Sequence, residues 1–352
     1  MTLSNAQSAG NMTISPPPQI SQLEALLDAG KSRFETRIEE TVQLGAQSLP
    51  IYSVTLGNAS PDVPAVGFFG GVHGLERIGS EVVMAYMTSL LKRLEWDEML
   101  HRKLETVRLV FMPLVNPGGL LLGTRANPAG VDLMRNAPVE ATEKVPFLVG
   151  GQRYSAALPW YRGAIDAPME PEARALCRVV ERELLPRPFS MVLDCHSGFG
   201  LSDRIWFPFA CRSAAIAHLP EVHALTQLFD QTYANHHYVF EPQSGQYCAH
   251  GDLWDYLYLQ AGADNGRIFL PLTLEMGSWL WVKKNPRQLF SRHGIFNPQI
   301  EHRQQRVLRR HIGWMEFLAR AACSWQRWIP AAEARQQHLL AARQRWYGGT
   351  PA

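Results

Sequence analysis

The chain has 352 residues, 46% of them hydrophobic, and a formal net charge of +2. That share supports a sizeable core, while the balanced charge and the absence of any basic run interleaved with aromatics exclude a nucleic-acid footprint. Five scattered cysteines (Cys177, Cys195, Cys211, Cys248, Cys323) form no CxxC pair, which excludes a disulfide framework and fits a reducing compartment. Residues 1–19 lack the basic start and apolar run of a signal peptide, and no run reaches the length of a membrane span. A cytoplasmic protein with no membrane partner is expected.

In chain order, residues 1–18 end in Ser15-Pro16-Pro17-Pro18 and read as a flexible lead. Residues 19–41 read as helix, with Ser21 as N-cap and Glu24 three residues on. Two β-rich runs, 51–56 and 65–69, are separated by Gly57, Asn58 and Pro61 and read as neighbouring strands. After the Gly70-Gly71-Val72-His73 corner, residues 80–94 read as helix and 106–112 as strand. Asn116-Pro117-Gly118-Gly119 reads as a turn. Residues 120–160 have no clear period and hold a dense polar set: Arg125, Asn127, Asp132, Arg135 and Asn136. Long irregular segments of this kind often carry function.

Further on, 170–185 reads as helix, 188–195 as strand, 205–209 as strand and 221–235 as helix. An aromatic and polar stretch, 247–258, starts as loop and becomes helix; 268–275 is a strand; 300–325 and 331–346 are terminal helices. Alternating strands and helices predict an α/β fold: one domain over residues 19–352, with a mixed, mostly parallel twisted sheet covered by helices on both faces. Arg303, Arg306, Arg309 and Arg310 fall at helical spacings and read as a solvated helix face. Trp314, Phe317, Trp325 and Trp328 read as packing residues.

The chemistry starts at His73-Gly-Leu-Glu76, a His and a carboxylate three residues apart at the end of a buried strand. Imidazole nitrogen and carboxylate oxygen suit Zn²⁺. A second match, His218-Leu-Pro-Glu221, sits at a helix start, where Glu221 serves the helix dipole. His196, just past the strand Met191-Val-Leu-Asp-Cys195, can supply a third ligand, since sites in open α/β sheets form beyond the carboxyl ends of strands. Two His and one Glu leave a fourth position open for water, the mark of a catalytic zinc. Glu275 ends an apolar strand, where a carboxylate is costly unless bonded or functional; beside zinc it fits a general base. Arg125 and Arg135 can stabilise an oxyanion or clamp a substrate carboxylate.

From about residue 50 to 280 this set resembles the zinc carboxypeptidase family of metallopeptidases. The resemblance implies one zinc per chain on His73, Glu76 and His196, with Glu275, in Thr273-Leu-Glu-Met-Gly277, as general base. It implies that Arg125 polarises the scissile carbonyl. Gly130-Val-Asp-Leu-Met-Arg135-Asn136 is similar to the segment that grips the substrate's terminal carboxylate, with Arg135 as anchor and Asn136 beside it. Tyr247, four residues before Gly251, resembles a mobile tyrosine that covers the substrate. The family usually has Asn directly before the anchoring arginine; here it is Met134, which cannot donate to a carboxylate. Leu253 points to an apolar side-chain pocket, Asp252 and Asp255 to one for a basic side chain. A related branch, the aspartoacylase and succinylglutamate desuccinylase deacylases, shares the opening motif and a similar Arg pair. The expected activity is amide hydrolysis in small peptides. The alternatives are deacylation of N-acyl amino acids and a zinc-bearing pseudoenzyme that binds peptides without turnover.

Overall fold

A computed structural model describes residues 16–262, 266–291 and 293–348. The expected lead over residues 1–18 therefore lies almost wholly outside the described residues. Helix α1 (Pro18–Gly30) starts on Pro18, and the Ser21 hydroxyl bonds back to the Pro18 carbonyl at 3.1 Å instead of capping. The helix expected to run to residue 41 ends at Gly30. The next residues include Thr36, Ile38, Thr41 and Val42, whose branched side chains favour strand, and they form β1 (Glu35–Leu44). β1 makes an antiparallel hairpin with β2 (Gln47–Gly57).

The remaining elements are β3 (Ala65–Gly70), α2 (Arg77–Arg93), α3 (Glu98–Leu104), β4 (Arg108–Met112), α4 (Pro117–Leu122), α5 (Pro171–Glu183) and β5 (Phe189–Ser197). They continue with β6 (Arg204–Phe207), α6 (Leu219–Thr232), β7 (Val239–Pro242), α7 (Leu253–Ala261) and β8 (Ile268–Met276). The chain finishes with α8 (Trp279–Lys284), α9 (Glu301–Cys323), α10 (Trp325–Trp328) and α11 (Ala332–Tyr347). The expected turn at 116–119 instead opens α4, because the Asn116 side chain accepts from the Gly119 N–H at 2.7 Å.

The strands form one eight-stranded sheet in the order β1-β2-β4-β3-β5-β8-β6-β7. β2 and β3 are not neighbours as expected, because β4 lies between them, antiparallel to β2 and parallel to β3. β3, β5 and β8 run parallel side by side through the centre. Consecutive strand residues face opposite ways. Phe68 meets Tyr86 of α2 on one face, with ring centroids 5.2 Å apart, and Phe69 meets Trp254 of α7 on the other, also at 5.2 Å. Helices thus cover both faces. α9 packs beside α2 on β3 and β5. Trp314 and Phe317 are buried on α9, and Trp325 stacks on Phe189 at 5.4 Å with Trp328 edge-on at 5.6 Å, so these aromatics are packing residues as expected. Among the described residues, no helix is long and apolar enough to cross a membrane.

Candidate active site

The three central parallel strands fix where the reactive side chains meet. Gly70 of β3 pairs with Cys195 of β5, and His196 of β5 pairs with Glu275 of β8. The carboxyl ends of all three strands therefore reach the same edge of the sheet. Past β3 the chain turns through Gly71 at φ +64, a conformation open to glycine and strained for other residues. A Cβ there would also lie 2.4 Å from Ser80 Oγ, so the corner fits tightly onto α2. This turn directs His73 and Glu76 back over the strand ends.

His73 Nδ1 lies 2.8 Å from Glu76 Oε1; His196 Nδ1 lies 3.2 Å from Glu76 Oε2 and 3.2 Å from His73 Nδ1. All three side chains are buried. The far nitrogen of each ring is held by a carboxylate: His73 Nε2 by Asp132 Oδ1 at 3.1 Å, His196 Nε2 by Asp194 Oδ2 at 2.6 Å. Each ring stands between two carboxylates, and against burial Asp194 and Glu76 push the His196 imidazole well above its usual range in the metal-free site; with a metal bound, Asp132 and Asp194 would keep the proton on each Nε2 and leave each Nδ1 free to ligate. Two lone pairs and a carboxylate then face one point. This donor set fits a zinc ion held by His73, Glu76 and His196. Burial by itself would raise the Glu76 carboxyl, but His73 and His196 hold it well below the usual carboxylate range. It is ready as an anionic ligand.

Asp132 does more than orient His73. Its Oδ2 accepts from Arg125 Nε at 2.7 Å, its Oδ1 also accepts from the Met134 backbone N–H at 3.0 Å, and Arg125 Nη1 reaches Glu76 Oε1 at 3.2 Å. The irregular 120–160 segment is thus tied to the corner by one buried carboxylate. Asp194 is held in turn by the Trp254 indole N–H at 2.9 Å. Sequence reasoning grouped Asp132 with the polar set without a role and passed over Asp194. The available signal was spacing: Asp194 and His196 are two apart on one strand, so they share a face. We expect Asp132→Asn to weaken zinc binding by about 10–100-fold in a chelator competition. Unchanged affinity would mean that Asp132 does not set the ring's orientation.

Glu275 holds one oxygen, Oε2, buried with no hydrogen bond. Burial, then the negative charge of Glu76, pushes its carboxyl up to about 8, against the pull of His196 and Arg125. At pH 7 the metal-free site therefore keeps Glu275 largely protonated, and a nearby dication must lower that value. Zinc added to metal-free protein in weak buffer at pH 7 should release about one proton fewer from Glu275→Gln than from wild type. Equal release would place the proton elsewhere.

Arg135 is buried and lines one cleft with His73, His196, Arg125 and Glu275. Its guanidinium donates to the carbonyls of Val149 (3.2 Å) and Met134 (3.0 Å) and to the Tyr247 hydroxyl (3.4 Å). Among the described residues it makes no contact ion pair; its charge pulls on the carboxyls of Asp132 and Asp252 without touching either, and its guanidinium faces the cleft. Met134 and Tyr247 line the cleft too. Asn136 does not reach it: its Nδ2 donates to the Arg162 carbonyl at 3.0 Å and its Oδ1 accepts from the Glu170 N–H at 2.6 Å. Both ends of the amide are spent on backbone, because Asn136 closes the 3₁₀ turn Leu133–Arg135 against the approach to α5. His218 and Glu221 take no part either; they meet Tyr258 and Arg335.

Of the two aspartates near Leu253, Asp255 is consumed by the backbone N–H groups of Ala210 and Cys211. Asp252 is different. Its Oδ1 caps α7, accepting from Trp254 N at 2.9 Å and Asp255 N at 3.0 Å, while Oδ2 is buried without a partner. Gly251 places it there. This residue has φ +72, and an added Cβ would lie 1.9 Å from the Arg135 carbonyl oxygen. The start of α7 is therefore pressed against the Arg135 backbone, with Asp252 on the cleft wall beside Gln243 and Thr273. Burial first, then the charge of Asp255, raises the Asp252 carboxyl to about 7.

Comparisons with known proteins bear on the family and the fold. A model of the zinc carboxypeptidase family matches residues 23–280. The chain is 28% identical over 92 residues to carboxypeptidase SOL1 of Arabidopsis thaliana, a match covering 25% of this chain and 19% of that protein. It is 27% identical over 161 residues to carboxypeptidase E of Caenorhabditis elegans, covering 42% of this chain and 33% of that one. These matches span about a fifth to a third of the length of the curated relatives. Among solved structures, bovine thrombin-activatable fibrinolysis inhibitor is similar at a TM-score of 0.63 and 16% identity, over 86% of this chain and 95% of that one. Carboxypeptidase A from Helicoverpa armigera is similar at 0.62 and 16% identity, over 86% and 71%. At these identities the structural likeness speaks for the fold alone. The family model, spanning well over half of the chain, carries the assignment: this chain belongs to the zinc carboxypeptidase family.

Proposed function

We propose that the protein is a zinc metallocarboxypeptidase that removes single residues from the C-terminal end of small peptides. One observation carries this reading: the buried cation of Arg135, which makes no contact ion pair, shares a cleft with Glu275 and with His73 and His196, the two histidines that converge on Glu76. A substrate carboxylate can make that pair, and seating it there brings the last amide bond toward Glu275. Zinc, when bound, supplies Lewis acidity toward the amide carbonyl and acidifies water. Arg125, fixed by Asp132, offers positive charge for the developing oxyanion. Glu275 takes a proton from the attacking water and gives it to the leaving amine. Tyr247, already 3.4 Å from Arg135 through its hydroxyl, closes over the anchored carboxylate. Asn136 acts only as a positioning residue for the Arg135 turn.

We assign the site to residues 19–352 as one catalytic unit, since α9 braces β3 and β5 from behind. All five cysteines are free, four of them buried, which supports a reducing, cytoplasmic setting. The test is product identification by mass spectrometry, with zinc-loaded protein and a mixed pool of short peptides and N-acyl amino acids. Loss of single C-terminal residues is expected. Release of acyl groups alone would transfer the protein to the deacylase branch, and tight peptide binding without turnover would make it a pseudoenzyme.

A further inference from the structure

A second cavity, of about 370 Å³, lies between α8, the N-terminal half of α9 and the loop between β5 and β6. It shares no lining residue with the cleft of Glu275. Four cations, Lys284, Arg303, Arg306 and Arg310, face it together with His237 and His302. The one carboxylate among its walls is Asp203. Its Oδ2 accepts from Arg310 at 2.5 Å and its Oδ1 from the Gly277 N–H at 2.9 Å, so it has little left to offer the other cations. Arg303 leans on the carbonyls of Trp281 and Lys284, each at 3.4 Å. The side chains of Lys284 and Arg306 make no hydrogen bond or ion pair among the described residues.

Arg306, Arg309 and Arg310 are exposed and Arg303 is half-buried, so these arginines form the solvated helix face that their spacing predicts, and three of them also line the cavity, which opens to solvent. Arg303, Arg306 and Arg310 share one side of the helix at intervals of three and four residues, and that side faces the cavity. Arg309 lies outside the lining. Cations gathered in one cavity repel one another unless an anion joins them. Guanidinium forks match phosphate oxygens bidentately, and a lysine adds a point charge.

We propose that this cavity binds a diphosphate-class anion, either inorganic or as the head of a phosphorylated organic molecule. His237 and Arg310 also line an adjoining cavity of about 610 Å³ with Tyr233 and Trp314 in its wall, space for an organic body beyond the charged head. The proposal is independent of the peptidase reading.

The test is calorimetric titration of the zinc-loaded full chain with inorganic pyrophosphate and, separately, with ADP. Saturable binding below about 1 mM that weakens with added salt is expected. Lys284→Glu with Arg306→Glu should weaken it at least about tenfold, Arg306→Gln alone less so, and Arg309→Glu by less than about threefold. ADP binding tighter than pyrophosphate assigns the site to phosphorylated organic ligands; equal affinity assigns it to the inorganic ion. No saturation overturns the proposal. So does binding that survives the double substitution, since the anion then sits in the cleft of Arg135. Equal loss from Arg309→Glu, or tighter binding of a poly-glutamate peptide, overturns it as well.

Discussion

Glu275→Gln should lower kcat on short peptides by about 10³–10⁴-fold while leaving zinc content and KM nearly unchanged. Glu275 is not among the three converging ligands, so the amide removes a proton acceptor and leaves the donor set of His73, Glu76 and His196 intact. The unsatisfied Oε2 is the atom that matters. A buried carboxylate oxygen without a partner costs free energy unless the substrate or water it acts on completes it. The pH profile gives a second reading. Glu275 serves as base only when ionised, so kcat/KM rises with pH through its pKa. Without metal, burial and Glu76 push that value up to about 8, and a bound dication moves it lower. The acid limb of wild-type kcat/KM should therefore fall below pH 8, and the residual activity of Glu275→Gln should lack that limb. A variant retaining more than about a tenth of wild-type kcat would remove Glu275 from the reaction.

The donor set was legible in the sequence because its spacing is local: His73 and Glu76 are three apart, and His196 and Glu275 each sit at the end of an apolar strand. Strand-end placement needs only the alternation of elements, which local composition reports. What the sequence hid are partnerships across long separations. Asp132 meets His73 across 59 residues and Trp254 meets Asp194 across 60, and no periodicity relates such pairs. The β1–β2 hairpin was missed for another reason. β1 is an exposed edge strand whose glutamates and arginine resemble a solvated helix; its branched residues favour strand, and pairing with β2 completes it. Asn136 shows the converse error: adjacency to Arg135 suggested a shared role, but a tight turn points neighbouring side chains in different directions, and the amide closes the turn instead.

The same distinction applies to Asp252 and Asp255, which look equivalent in sequence. Only Asp252 keeps a buried oxygen free on the cleft wall. We therefore propose, within the peptidase reading, that the released residue carries a basic side chain whose cation pairs with Asp252 while its carboxylate pairs with Arg135. Such a substrate gives each of the two groups a contact partner, and its cation draws the Asp252 carboxyl, now near 7, back to its ionised form. Wild-type kcat/KM should favour C-terminal Lys or Arg over Leu. Asp252→Asn isolates the effect, because Asn caps a helix about as well as Asp and the start of α7 survives. Removing one partner of a buried charge pair costs about 2–5 kcal/mol. At 3 kcal/mol that is roughly a hundredfold loss in kcat/KM on basic C-termini. Peptides ending in Leu should lose little or gain, since the variant no longer buries an unpaired carboxylate against an apolar side chain. The ratio of the two kcat/KM values is the readout, since a general defect in folding or metal binding lowers both equally. If Asp252→Asn leaves that ratio unchanged, Asp252 is a helix cap alone, and the specificity of the cleft rests on Met134, Gln243 and Thr273.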